Sequence, residues 1–279
     1  CLVHAEIAAA LAEGLDEGVF LIEYGQDPRI IAASVSGEVL WQMGLEEEAL
    51  VRHETISSLA VRLVHPFNLV AAASTSMWFH RQRGDAEATL ACAERMIQVA
   101  KTSGGFPEYE TAAKIYRGWA LAELGQAGEV VDEVLARLEE YSRAGGQTSM
   151  ATFYAIGAEV CRRTGKLEDA LGLIDKGLSA SRNGGLLAEV ELYCLQGEIL
   201  DELASRADPS EAEASLSRAF DLACERWQVA YLDRVIRGLS RFPGDRIREV
   251  QRAQSLREEV PRLVKTARDR VEEEMARVA

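Results

Sequence analysis

Gly44-Leu-Glu-Glu-Glu-Ala-Leu50, Gly84-Asp-Ala-Glu-Ala-Thr-Leu90, Gly125-Gln-Ala-Gly-Glu-Val-Val131 and Gly165-Lys-Leu-Glu-Asp-Ala-Leu171 are the four stretches that decide the fold of this chain. In each, a helix-breaking glycine is followed at once by residues that restart a helix, and the glycines are spaced 40, 41 and 40 residues apart. A fixed period of that size marks a helical array whose units are each too small to bury their own apolar face and must stack on their neighbours.

Two amphipathic helices fill each period. Before the glycine, Ala112, Ile115, Tyr116, Trp119 and Ala120 fall on one helical face, as do Phe153, Ile156, Val160 and Cys161. After it, Val130, Val131, Val134, Leu135 and Leu138 form a second stripe, matched in the next unit by Ala170, Leu171, Ile174 and Leu178. We refer to these as the A and B helices. The B helices are expected to end at Ser103-Gly104-Gly105, Ala144-Gly145-Gly146 and Asn183-Gly184-Gly185, where glycine accepts the left-handed conformation that closes a helix. A fifth unit has its A helix at roughly 188–203 and restarts at Asp208-Pro209-Ser210-Glu211, an N-cap followed by proline at the first helical position. Alternating β-branched runs with hairpin turns are missing. The pattern predicts an all-α, right-handed superhelix (α-solenoid) of about five helix pairs with a period near 40, plus a C-terminal amphipathic helix.

The ends differ from the middle. Residues 1–23 read as the remnant of a preceding repeat, and Tyr24-Gly25-Gln26-Asp27-Pro28 as the turn into the array, which spans 24–243. Residues 244–279 form a capping or interaction helix. From Ile247 through Val278, apolar residues recur every three or four positions, with an interruption expected near Pro261. Residues 245–279 carry 9 basic and 8 acidic residues, so the chain before them holds the whole of the excess of −14. That charge would repel nucleic acid and anionic membrane surfaces, which excludes both as general partners.

The chain begins at Cys1 without an initiator methionine and shows neither the basic nor the apolar region of a signal peptide, and is read as a piece of a longer protein. Its five cysteines show no C-x-x-C spacing and mostly sit in apolar helical patterns, as reduced thiols in a cytoplasmic protein do. The one Gly-Lys pair, Gly165-Lys166, is followed by Leu167, so the phosphate-loop pattern is not met, and no G-x-S-x-G elbow occurs. His4, His53, His65 and His80 lack the helical spacing of a zinc site. The acidic runs at 46–48, 139–140 and 272–274 splay around a helix as solvated faces do. No catalytic residue, cofactor site or metal site is therefore expected.

Trp41, Trp78 and Trp119 lie at or near equivalent places in three successive A helices, and fit either packing between A and B helices or a ladder of rings on the concave surface. Aligning the units on Gly37, Met77, Gly118, Ala158 and Gly197 turns Trp41, Ser74, Trp78, Arg81, Ile115, Trp119, Glu159 and Arg162 toward that surface as the candidate groove, with Ile31, Ser34, Glu191 and Glu198 beside them.

Tyr24-Gly-Gln-Asp-Pro28, His65-Pro66-Phe67, Gly118-Trp-Ala-Leu-Ala-Glu-Leu-Gly-Gln126, Glu191-Leu-Tyr-Cys-Leu-Gln-Gly-Glu198 and Ala207-Asp-Pro-Ser-Glu-Ala-Glu-Ala-Ser215 occur in a familiar order and spacing. Over roughly 20–225 the chain resembles the C-terminal tetratricopeptide-like region of large bacterial signalling proteins that carry an N-terminal class III adenylate/guanylate cyclase domain and a central P-loop ATPase domain. Those two domains have no counterpart in the chain, so none of their catalytic residues carries over, and beyond Cys224 the likeness fades. The resemblance implies a non-catalytic regulatory scaffold for a protein or peptide, or for neighbouring domains of the same parent chain. The alternative is a small-ligand sensor of the kind found in related ATP-dependent transcription regulators; a free-standing helical-repeat enzyme is a third reading. The C-terminal helix adds the option of self-association. A sensor requires a closed pocket of mixed aromatic and polar lining, whereas a scaffold requires an open groove.

Overall fold

A computed structural model describes residues 1–13, 26–63, 65–103, 105–145, 149–182, 186–203 and 208–278. Among them there is no β-strand. The A helices are α2 (Pro28–Gln42), α4 (Pro66–Gln82), α6 (Pro107–Leu121), α8 (Met150–Arg163) and α10 (Glu189–Glu202). Their B partners are α3 (Glu46–Leu63), α5 (Ala86–Ser103), α7 (Ala127–Arg143), α9 (Leu167–Ser181) and α11 (Pro209–Glu225). Before the first pair runs α1 (Leu2–Glu13), and after the last come α12 (Leu232–Leu239) and α13 (Ile247–Val278). Consecutive helices pack antiparallel neighbour on neighbour, and each A helix also touches the next A helix, so the chain is an all-α helical solenoid.

The turn glycines do what their spacing implies. Gly44, Gly84, Gly125 and Gly165 all have positive φ, between 71° and 94°. At three of them the A helix closes by the paired bonds of a Schellman motif; Leu45 N donates to Leu40 O at 2.9 Å and Gly44 N to Trp41 O at 2.8 Å, with the same pairs at Asp85/Gly84 and Lys166/Gly165. Gly125 sits instead in the wider π-turn Ala122–Gln126. The α5 and α7 helices end with Gly105 and Gly145 in the same left-handed region, while residues 104, 146 and 183–185 lie outside the described residues. Asp208 caps α11, its carboxylate accepting from Ser210 N at 2.9 Å.

Close approach of A and B helices depends on glycines inside the A helices. A Cβ at Gly197 would stand 2.5 Å from Leu216 Cγ and 2.9 Å from the Ala212 carbonyl, and one at Gly118 would overlap a Val134 methyl. The period is also written in side-chain bonds between successive units. Trp119 Nε1 donates to Glu159 at 2.7 Å, Arg163 to Glu123 at 2.6 Å and Arg241 to Asp201 at 2.8 Å, each pair 40 residues apart. Thr75 donates to Ser34 at 3.1 Å and Gln228 to the Leu187 carbonyl at 3.1 Å, both 41 apart.

These last bonds extend the array past the point where the likeness to the signalling proteins fades. Val229–Tyr231, a 3-10 turn, and α12 occupy the A position of a sixth unit, and Gly238 brings α12 against Leu216 as Gly197 does for α10. The preceding turn is made by Trp227, the described non-glycine residue with positive φ (59°). Against expectation, α13 is not interrupted at Pro261: it runs as one helix of 32 residues with the proline inside. Pro261 forfeits one backbone bond, but Ala253, Val260 and Val264, on both sides of it, are buried against the array and hold one axis across the site.

The two ends of the solenoid meet. α13 packs on α1, the Val229–Tyr231 turn packs on α2, and Arg268 pairs with Glu48. One continuous apolar cluster holds Leu2, Leu40, Trp41 and Phe79 from the start of the chain together with Phe220, Leu232 and Val260 from its end. The A helices thereby form an inner ring and the B helices an outer one. Cys161, Cys194 and Cys224 are buried free thiols, Cys92 is half-buried and Cys1 exposed; burial pushes Cys194 up to about 12. No described helix is long and apolar enough to cross a membrane.

Candidate functional site

Closure of the ring turns the concave face into a cavity. Two helices show how its wall is built from the repeat: Ser34, Val35, Glu38 and Gln42 of α2 line it, and so do Ser74, Thr75, Trp78 and Gln82 of α4, the same four positions 40 residues on. Offsets of one, four and eight place each set along a single helical stripe. Tyr116 of α6 continues the series at 41 from Thr75, and Glu191 of α10, Thr152 of α8 and Tyr231 of the sixth unit complete the circuit. The hollow is partly open to solvent and has a volume of about 330 Å³, within the range of small-molecule sites.

The wall is held by contacts across the seam. Trp41 stands edge-on to Trp78 and to Tyr231, both with ring centroids at 5.6 Å. The Tyr231 hydroxyl donates to Gln82 Oε1 at 3.1 Å, and Gln228 Nε2 donates to Gln42 Oε1 at 2.7 Å. These bonds join the first, second and sixth units. They fix two cavity-lining amides in place.

A buried ion network borders the cavity through Glu191. Arg81, its side chain 2% exposed, reaches from α4 to Glu159 of α8 at 2.8 Å and to Glu191 of α10. Gln82 also donates to Glu191. The Arg81 Nε and Nη1 atoms are buried without a hydrogen-bond partner among the described residues, and the Trp119 ring, 5.7 Å from the guanidinium carbon, offers it a π face instead. Burial works against charging Glu159, but Arg81 and Arg234 more than offset it and hold the carboxyl below its usual range. Next to this network Glu198 accepts from Arg162 at 2.5 Å and from Arg234 at 2.7 Å.

Glu38 is different. Among the described residues no hydrogen bond or ion pair reaches its carboxylate, and burial pushes its pKa up to about 7. Arg, Lys and His do not contribute to the lining among the described residues.

No protein-family model, curated protein or solved structure matches the chain. The site is therefore interpreted from its own geometry.

Of the residues expected on the concave surface, Ser34, Ser74, Trp78 and Glu191 line the cavity. Ile31 is 45% exposed, away from the lining. Ile115 is fully buried in the core, and Trp119 is 4% exposed, with its indole N–H committed to Glu159. Trp41 is buried too, at the seam. It is also not the equivalent of Trp78: one period back from Trp78 stands Glu38, and one period on from Trp41 stands Arg81. Arg81, Glu159, Arg162 and Glu198 are ion-paired to one another's helices. Glu159 and Arg162 line a second hollow with Glu123, Arg163 and Glu202.

Among the lining residues missed by reading the sequence are Glu38, Gln42, Gln82, Tyr116 and Tyr231. Carrying Trp78 back by 40 finds Glu38, and carrying Gln82 back finds Gln42, so the period held that signal. Tyr231 had none, because it enters the wall only when the ends meet. Among the described residues no group of three or more His, Cys, Asp or Glu side chains is placed to hold a metal ion.

Proposed function

We propose that this chain is a ligand-binding regulatory domain that takes a small molecule into the cavity inside its closed helical ring. The observation that supports this reading is the lining of the cavity, which combines aromatic rings with hydroxyl and amide groups around a hollow of small-molecule size. The seam gives such a domain a means of response. A ligand touching Gln82 and Tyr231 touches both sides of the closure, so occupancy favours the closed ring over an opened one. In a parent protein of the cyclase/ATPase signalling type that the sequence resembles, that bias would pass to neighbouring domains.

The test is a melting screen of the 279-residue chain against a library of metabolite-size compounds, run beside Thr75→Trp, whose indole fills the cavity. The expected result is a compound that raises the melting temperature of the parent chain and not that of the variant, with both equally helical by circular dichroism. If the library contains no such compound and a protein or peptide partner binds both proteins equally well, the scaffold reading replaces this one.

A further inference from the structure

We propose that the ligand is a small organic cation, an amine whose ammonium group pairs with Glu38 while its body rests on Trp78, Tyr116 and Tyr231. This rests on the small-molecule reading above and narrows it to one chemical class. The lining holds two carboxylates, Glu38 and Glu191. Arg81 and Gln82 already satisfy Glu191. Among the described residues Glu38 has no such partner, and none that lines the wall carries a cationic side chain to supply one. Glu38 is half-buried, and a carboxylate partly withdrawn from water without a partner is compensated by protonation or by a counter-charge brought from outside. Its pKa, raised to about 7 by burial, is the first of these responses. An ammonium ion is the second.

The rest of the wall suits such a guest. Trp78, Tyr116 and Tyr231 provide π surface, which attracts cations, and the Ser and Thr hydroxyls and Gln amides accept the remaining N–H groups. An anionic guest meets the opposite: among the described lining residues stand two carboxylates and no donor with a full positive charge. A neutral polyol would find hydrogen bonds but would leave Glu38 uncompensated. The volume of about 330 Å³ sets the size at that of a small metabolite and not a peptide.

Calorimetric titration of the 279-residue chain with two bodies in three charge states separates the possibilities: phenethylamine and putrescine, the neutral 2-phenylethanol and 1,4-butanediol, and the anionic phenylacetate and succinate. The expected result is that at least one amine binds roughly tenfold or more tighter than its alcohol and acid counterparts, and that Glu38→Gln removes that advantage while circular dichroism stays unchanged. Amines that bind no tighter than their alcohols overturn the cation. If an alcohol, an acid or a neutral library compound still binds the parent chain and not Thr75→Trp, the small-molecule reading survives that loss. If nothing binds in either experiment, both fall.

Discussion

Gln42 and Gln228, 186 residues apart in sequence, share a buried hydrogen bond of 2.7 Å that joins the first and sixth units of the ring. Gln228 also donates to the Leu187 carbonyl at 3.1 Å. One side chain thus ties three units together. Replacing it with leucine leaves the Gln42 amide oxygen and a backbone carbonyl without their donor, at an expected cost of about 1–3 kcal/mol. Adding Gln42→Leu removes one of the stranded groups, so the double variant should regain part of the loss. Urea unfolding of the two single variants and the double variant measures the coupling, and strict additivity would place the two residues in independent environments.

Arg81 is the second tie across the interior. Arg81→Met strands Glu159 and Glu191 in a buried setting and should destabilise the fold by about 3–5 kcal/mol. Adding Glu159→Gln and Glu191→Gln in the same chain should restore much of that, because the loss comes mainly from two uncompensated charges. Equal midpoints for the single and triple variants in denaturant would contradict this.

Two glycine-to-alanine changes should have opposite signs. At Gly197 the new methyl meets Leu216 and the Ala212 carbonyl, so α10 and α11 must separate, at a cost of about 1–3 kcal/mol. At Gly172, in the exposed middle of α9, nothing lies within 4 Å of the added carbon. There alanine should stabilise by roughly 0.5–1 kcal/mol through helix propensity. Thermal unfolding of both variants decides the matter by direction alone.

Stability should depend on pH through the half-buried Glu38 and the buried His53, which work in opposite directions. Glu38, with Tyr116, Tyr231 and the Arg81-paired Glu191 around the same cavity, has its pKa raised to about 7 by burial. Between the ordinary glutamate value of about 4.3 and 7, the folded chain holds a proton that the unfolded chain has lost, so stability falls as pH rises through that window, by about 3 kcal/mol in full. His53, stacked on Phe79 at 3.8 Å, is pushed down to about 3, first by burial and then by nearby His80, itself lowered. Its contribution is complete above the ordinary histidine value and is lost as pH falls toward 3. Melting temperature against pH should therefore flatten between pH 5 and 7 in Glu38→Gln and between pH 3 and 6 in His53→Phe. Unchanged slopes in both would show that neither group titrates as its burial implies.

The sequence by itself determined most of what is local in this protein and most of what repeats. The glycines at 44, 84, 125 and 165 place the A-helix ends because a left-handed residue is required there, and a glycine supplies it at little cost. Asp208-Pro209 sets the start of α11 by satisfying or removing amides that the first turn leaves free. Apolar stripes at helical spacing fix which faces pack. Even half of the cavity wall was present as pairs 40 residues apart. What only the tertiary structure decided is where the two ends of the solenoid go. The sixth unit uses Trp227 where a glycine would have signalled the turn, and α13 keeps its axis through Pro261 because the array beneath it supports both halves. Ring closure brings together Gln42 and Gln228, Trp41 and Tyr231, and Glu48 and Arg268, pairs whose separation in sequence exceeds four periods. A period describes how each unit stacks on the next, while closure depends on the small rotation per unit summed around the whole ring, and no single stretch of residues carries that sum.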